Sequence, residues 1–221
     1  MIDTIIFDAD GVILDSEKLW DVGQTLWLQR HGLTYDRATI KPLLTGRSLR
    51  DGTQAVKERL GLTPPLEVLM DERLALMDEM LRTQVEFMDG FLAFFETIRG
   101  RYKTCIASGM GAAAFDAVNS RLNLSALFGE HIYLSPQLGL PSKPAPDLFL
   151  HAARALASLT PHCVVIEDAP FGLEAARAAG MIGIGLTSTY PADMLDAATH
   201  IVSHFADIPP LLEQLAQAPK L

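Results

Sequence analysis

The 221 residues carry a formal charge of −9 and are 49% hydrophobic, which is enough apolar material for one full core with room for a large insertion. That charge argues against a nucleic-acid backbone as partner and leaves small molecules open, so a site handling phosphate has to bring its own local cations. Cys105 and Cys163 lie in apolar runs without ligand spacing, the chain enters its first strand without a signal peptide, and no apolar run nears the roughly 18 residues of a membrane span; a reduced, cytoplasmic protein with no membrane partner is expected.

The first stretch, Ile5-Ile6-Phe7-Asp8-Ala9-Asp10-Gly11-Val12, is a β-branched and aromatic run that ends in two carboxylates and a glycine. It reads as a buried strand of a parallel sheet. Side chains at i and i+2 of an extended chain share a face, so Asp8 and Asp10 are expected to leave the sheet together, with Gly11 freeing the turn. Asp15-Ser16-Glu17 signals a helix start, and that helix is predicted to run to about His31, where Gly32 stops it. Two more helices are predicted at Leu49–Leu60 and Leu66–Thr83. The second carries Leu66, Leu69, Met70, Leu74, Met77 and Leu81 as a stripe whose methionines read as core packing. No strand is predicted between about residues 14 and 86.

From Phe87 onward helix and strand alternate. Helices are predicted over Phe91–Arg99, from Ser108-Gly109 to Leu122, from Asp147 to Leu156, from Pro170 to Gly180, and in the tail. Strands are predicted at Tyr102–Ala107, Ile132–Leu134, Val164–Ile166, Ile182–Leu186 and, weakly, Ile201-Val202. The pattern implies an α/β fold: a doubly wound parallel-sheet (Rossmann-like) core, residues 1–14 and 87–221, with an all-helical insertion at 15–86 after the first strand.

Polar groups collect at the carboxyl ends of these strands: Asp8 and Asp10, Ser108, Lys143 in the loop after its strand, and Glu167 with Asp168. Open α/β sheets bind ligands along that edge. Two like charges at ~4 Å in an effective dielectric near 20 repel by about 4 kcal/mol, which a hard cation bound through oxygen reverses. The set therefore reads as a metal site beside a phosphate site. Singly, each member has a plainer reading. Ser108 caps a helix, Glu167-Asp168 serves a helix dipole, and Lys143 is a solvated residue in Pro141-Ser142-Lys143-Pro144-Ala145-Pro146-Asp147, a loop its prolines are expected to hold extended.

Asp8-Ala9-Asp10-Gly11-Val12, Ser108, Lys143-Pro144-Ala145-Pro146-Asp147 and Glu167-Asp168 resemble, in order and spacing, the four motifs of the haloacid-dehalogenase superfamily of phosphohydrolases. The helical insertion resembles the small cap of its β-phosphoglucomutase-like subgroup. The resemblance implies a phosphatase acting on a small phosphorylated metabolite through an aspartyl phosphate, with Mg²⁺ held by Asp8, the Asp10 carbonyl, Asp168 and, directly or through water, Glu167. It implies Asp8 as nucleophile and Asp10 as acid and base. Ser108, Lys143 and backbone N–H groups such as those of Ala9 and Gly109 would grip the transferring oxygens. It further implies that the cap loop Thr45-Gly46-Arg47-Ser48-Leu49-Arg50 faces substrate, with Arg47, Ser48 and Arg50 as candidate contacts. Hinges are expected near Leu14–Ser16 and Glu86–Gly90.

Mutases of this type carry a His where this chain has Trp20, which weakens a phosphomutase alternative; a non-catalytic binding protein on the same fold is the other. Gly109-Met110-Gly111-Ala112-Ala113-Ala114 fits a loose dinucleotide pattern, but the ribose-binding acid is not where that fold needs it. His200 and His204 flank a predicted strand and do not read as ligands. Oligomeric state is not legible.

Overall fold

A computed structural model describes residues 1–44 and 49–217. The chain divides into two compact units: Met1–Ser16 with Glu86–Leu221, and Glu17–Val85. After β1 (Thr4–Phe7) come the four helices of the second unit, α1 (Glu17–Arg30), α2 (Arg37–Leu44), α3 (Leu49–Leu60) and α4 (Leu66–Thr83). The first unit resumes with α5 (Phe91–Ile98), β2 (Lys103–Ser108), α6 (Ala112–Leu122), α7 (Leu124–Phe128), β3 (Ile132–Leu134) and α8 (Ser135–Leu138). It ends with α9 (Asp147–Ala155), β4 (Cys163–Glu167), α10 (Pro170–Ala178), β5 (Ile182–Leu186), β6 (His200–Val202) and α11 (Ile208–Gln217).

The six strands form one sheet in the order β3-β2-β1-β4-β5-β6, every neighbouring pair parallel. Thr4 to Phe7 and Cys163 to Glu167 are buried throughout, as central strands covered on both faces must be. Alternation assigns the faces. Ile6 joins Cys105, Ala107 and Val165 in a cluster with Leu148, Phe149 and Ala152 of α9 and Ala175 and Ala176 of α10. Phe7, one residue on, packs into an aromatic cluster, with ring centroids 5.7 Å from Phe91 and 5.8 Å from Phe128. Cys105 and Cys163 are unpaired and buried, and burial raises both thiol pKa values, that of Cys163 to about 11.

Two expectations are corrected in the helical unit. Helix α2, with Pro42 inside it, was not predicted. Asp36 starts it nonetheless, accepting the Ala38 N–H at 3.1 Å and the Thr39 hydroxyl. The buried stripe of α4 is Leu69, Arg73, Leu76, Met77, Met80 and Leu81; Leu74 is 53% exposed, and a charged residue stands on the apolar face. Among the described residues, no helix is long and apolar enough to cross a membrane.

Candidate active site

Strands β2, β1 and β4 are adjacent at the centre of the sheet, so their carboxyl ends bring Ser108, Asp8 and Glu167-Asp168 side by side. Phe7 is level with Ile106 on one side and Ile166 on the other. The ladder continues one step, with the Asp8 N–H donating to Ile166 O at 3.0 Å. The regular strand stops at Phe7, sooner than the i, i+2 argument assumed, and the backbone then turns. Gly11 takes φ +71°, a conformation that a side chain disfavours. The Ala9 carbonyl accepts the N–H groups of Ile13 and Leu14 at 2.9 Å. Asp10 is therefore set by the turn rather than by strand alternation, and Ser16 Oγ donates to its Oδ1 at 2.6 Å.

Lys143 arrives from the β3–α9 connection. Rather than running extended, Ser142–Ala145 closes as a turn, with the Ala145 N–H on Ser142 O at 3.1 Å. Lys143 Nζ donates to Asp8 Oδ1 and, at 2.7 Å, to Glu167 Oε1, and it sits 5.0 Å from the Phe149 ring centroid. Glu167, 2% exposed, spends its other oxygen on the N–H groups of Asp168 and Ala169, both at 2.8 Å. Both of its oxygens are thus engaged. One of them anchors Lys143. Ser108, also buried, accepts the Met110 N–H at 3.1 Å and so braces the turn after β2, whereas α6 starts at Ala112 behind Gly111 without a side-chain cap; Gly109 beside Ser108 opens onto free space.

The acid residues outnumber the one ammonium. Burial, together with Glu167 and Asp10, pushes the Asp8 carboxyl up to about 7 despite Lys143. Burial, Glu167 and Asp8 likewise hold Asp168 well above the ordinary carboxylate range, partly offset by Thr189 and Lys143. Burial alone would lower Lys143, but Asp8 and Glu167 outweigh it and keep the lysine charged. A Cβ on Gly11 would lie 1.9 Å from Asp168 Oδ2, so the Asp168 carboxylate is seated directly against the Asp8–Gly11 turn.

This donor set fits a hard divalent cation: carboxylates only, buried, short of positive charge, with Asp8 close enough to Asp168 to raise its pKa. Among the described residues no three His, Cys, Asp or Glu side chains already form a ligating group. The expected set needs only two side-chain carboxylates plus the Asp10 carbonyl. The loop after β5 escaped the sequence reading. Ser188 Oγ donates to Gly11 O at 2.6 Å, and Thr189 Oγ1 lies buried beside Gly11. Thr187-Ser188-Thr189 at a strand's carboxyl end was the available signal. Arg47 and Ser48 lie outside the described residues. Arg50 belongs to the helical unit, exposed and 3.5 Å from Glu67.

A family model described as haloacid dehalogenase-like hydrolase matches residues 2–180. The chain is 32% identical over 183 residues to the fructose-1-phosphate phosphatase YqaB of Escherichia coli, covering 80% of this chain and 92% of that one. It is 30% identical over 184 residues to (DL)-glycerol-3-phosphatase 1, mitochondrial, of Arabidopsis thaliana; the match covers 80% of this chain and 61%, less than two thirds, of that relative. Among solved structures, a conserved haloacid dehalogenase-like protein of unknown function from Agrobacterium tumefaciens superposes with a TM-score of 0.83 at 31% identity, covering 98% of this chain and 100% of the other. A putative β-phosphoglucomutase from Thermotoga maritima shares the fold, with a TM-score of 0.82 at 23% identity over 96% of this chain and 99% of that one. With four motifs gathered on one sheet edge and a family match over most of its length, this chain belongs to the haloacid dehalogenase-like hydrolases.

Proposed function

We propose that this phosphoric monoester hydrolase is a Mg²⁺-dependent phosphatase for a small phosphorylated metabolite, a sugar or polyol phosphate, working through an aspartyl phosphate. The carrying observation is the Lys143 bridge between Asp8 and Glu167, which joins three distant chain segments into one charged cluster. Asp8, the Asp10 carbonyl and Asp168 would hold Mg²⁺, which when bound neutralises charge on the phosphoryl oxygens and on the acids. The Asp8 carboxylate attacks phosphorus as the bond to the leaving oxygen breaks, and Asp10 donates the proton that oxygen needs. Water then attacks the phosphorus of the aspartyl phosphate, Asp10 takes its proton, and inorganic phosphate leaves with Asp8 restored. Ser16 holds Asp10 in place for both transfers. Lys143 and the backbone N–H groups near Ala9 and Gly109 hold the transferring oxygens, and Ser108 adds its hydroxyl.

The substrate class is supported by relatives named as phosphatases of fructose 1-phosphate, glycerol 3-phosphate and 6-phosphogluconate. A mutase reading finds no support at Trp20, which has no group to carry a proton. The reduced cysteines are in keeping with a cytoplasmic site of action. The test is phosphate release from p-nitrophenyl phosphate and a panel of sugar phosphates, with Mg²⁺ or with chelator, by the wild type and Asp8→Asn. Mg²⁺-dependent turnover lost in the variant is expected. A wild type as inactive as Asp8→Asn across the panel would support the non-catalytic alternative and overturn the proposal.

A further inference from the structure

The loop after β5 carries an oxygen that the fold leaves idle. Thr187 extends the β5–β6 ladder, its N–H donating to Val202 O at 3.0 Å. Ser188 Oγ then donates to Gly11 O at 2.6 Å, and Tyr190 packs against the cluster of Leu173, Leu195 and Ala197. The chain is therefore held on both sides of Thr189, whose side chain is carried to the Asp8–Gly11 turn. There Thr189 Oγ1 is buried and, among the described residues, has no hydrogen-bond partner. A Cβ on Gly11 would lie 2.6 Å from that oxygen and 1.9 Å from Asp168 Oδ2, so hydroxyl and carboxylate converge on one point.

A buried hydroxyl without a partner is destabilising, and valine would fill the same space without that cost. Packing therefore does not explain a threonine here. The neighbouring acids suggest what does. Lys143 holds Asp8, and Ser16 donates to Asp10 at 2.6 Å. Asp168, 5% exposed, is the third residue expected at the cation, and it is the one that meets this hydroxyl. The nearness of Thr189 already favours its charged form. A carboxylate that ligates a cation through one oxygen keeps acceptor capacity on the other, and a hydroxyl donor there fixes the rotation of the group.

We propose that Thr189 is a positioning residue: its hydroxyl donates to the Asp168 carboxylate when that group holds the divalent cation, and so sets which oxygen faces the ion. This rests on the Mg²⁺-dependent phosphatase reading above. No bond is made or broken at Thr189; it acts through Asp168.

The test is calorimetric titration of the whole, chelator-treated enzyme with Mg²⁺ alone, for the wild type, Thr189→Val and Thr189→Ser. Thr189→Val is expected to weaken Mg²⁺ binding by about tenfold or more, and Thr189→Ser, which keeps the hydroxyl, to stay within about threefold of the wild type. Without metal, Thr189→Val is expected to melt at or above the wild type, because it removes a buried polar atom that lacks a partner. With Mg²⁺, its melting temperature is expected to rise less than that of the wild type. The Mg²⁺ concentration for half-maximal phosphate release from p-nitrophenyl phosphate is expected to move in parallel with the binding constant. A Thr189→Val protein that binds Mg²⁺ as tightly as the wild type, or a Thr189→Ser protein weakened as much as Thr189→Val, would overturn the proposal and leave Thr189 a packing residue. A wild type that binds Mg²⁺ but hydrolyses no ester would instead strike the phosphatase reading, with the titration still judging Thr189. A wild type that binds no Mg²⁺ would remove the metal reading and this proposal together.

Discussion

Gly172→Ala sets two effects of opposite sign against each other. Gly172 lies in the first turn of α10 with an ordinary φ, so alanine gains at most about 1 kcal/mol of helix propensity. The added Cβ would stand 1.6 Å from Glu167 Oε1 and 2.0 Å from its Cδ. Glu167 has nowhere cheap to go. It is 2% exposed and bound by Lys143 at 2.7 Å and by two backbone N–H groups at 2.8 Å. Each hydrogen bond to a charged group is worth about 1.5–3 kcal/mol, so losing two and regaining the propensity leaves a net cost of about 2–5 kcal/mol. At about 2–4 °C per kcal/mol for a chain of this size, the melting temperature is expected to fall by roughly 5–15 °C. Activity is expected to drop about 10–100-fold, because Lys143 loses the group that aims it. Thermal unfolding and phosphate-release assays read both effects. Pairing Gly172→Ala with Glu167→Asp, one methylene shorter, is expected to recover part of the melting temperature. A Gly172→Ala protein as stable and active as the wild type would refute the claim that Glu167 is a fixed anchor.

Gly11→Ala combines a left-handed φ of +71°, which costs a side chain about 1–2 kcal/mol, with a collision at Asp168 Oδ2. The Mg²⁺ concentration for half-maximal activity is expected to rise at least about tenfold, and an unchanged requirement would separate Asp168 from the metal. Ser108→Ala removes the acceptor for the Met110 N–H and is expected to cost about 1 kcal/mol on a denaturant curve. If kcat/KM holds while stability falls, Ser108 only braces the turn after β2. The Asp8 carboxyl, raised to about 7, keeps in the fold a proton that the unfolded chain releases near pH 4. That stabilisation is complete below about pH 4 and is lost as pH rises through 7. The melting temperature of chelator-treated protein is accordingly expected to carry a component that falls from pH 5 to 8, and Mg²⁺ uptake near pH 6.5 to release protons measurable by calorimetry in buffers of different ionisation enthalpy. Lys143, held above its ordinary value, adds no slope in that range.

The core strands and the acids at their ends were legible because parallel sheets demand continuous apolar runs, and a carboxylate closing such a run stands out. Asp8 and Asp168 belong to that class, and the helical insertion was legible because its periods are local, whereas Lys143 stood out only through the motif around it. The partners of each charge were not legible. Nothing in Glu167-Asp168 says that one acid anchors a lysine 24 residues away while the other presses against Gly11, nor that Ser188 reaches back 177 residues to hold the Gly11 carbonyl. Helix α2, with Pro42 inside it, went unpredicted, and Arg73 hid behind a stripe that a neighbouring leucine seemed to complete. Periodicity along the chain determines which residues form an element and which face is apolar. Crossover connections and side-chain packing determine which distant groups meet, and therefore which charges are brought together and neutralised.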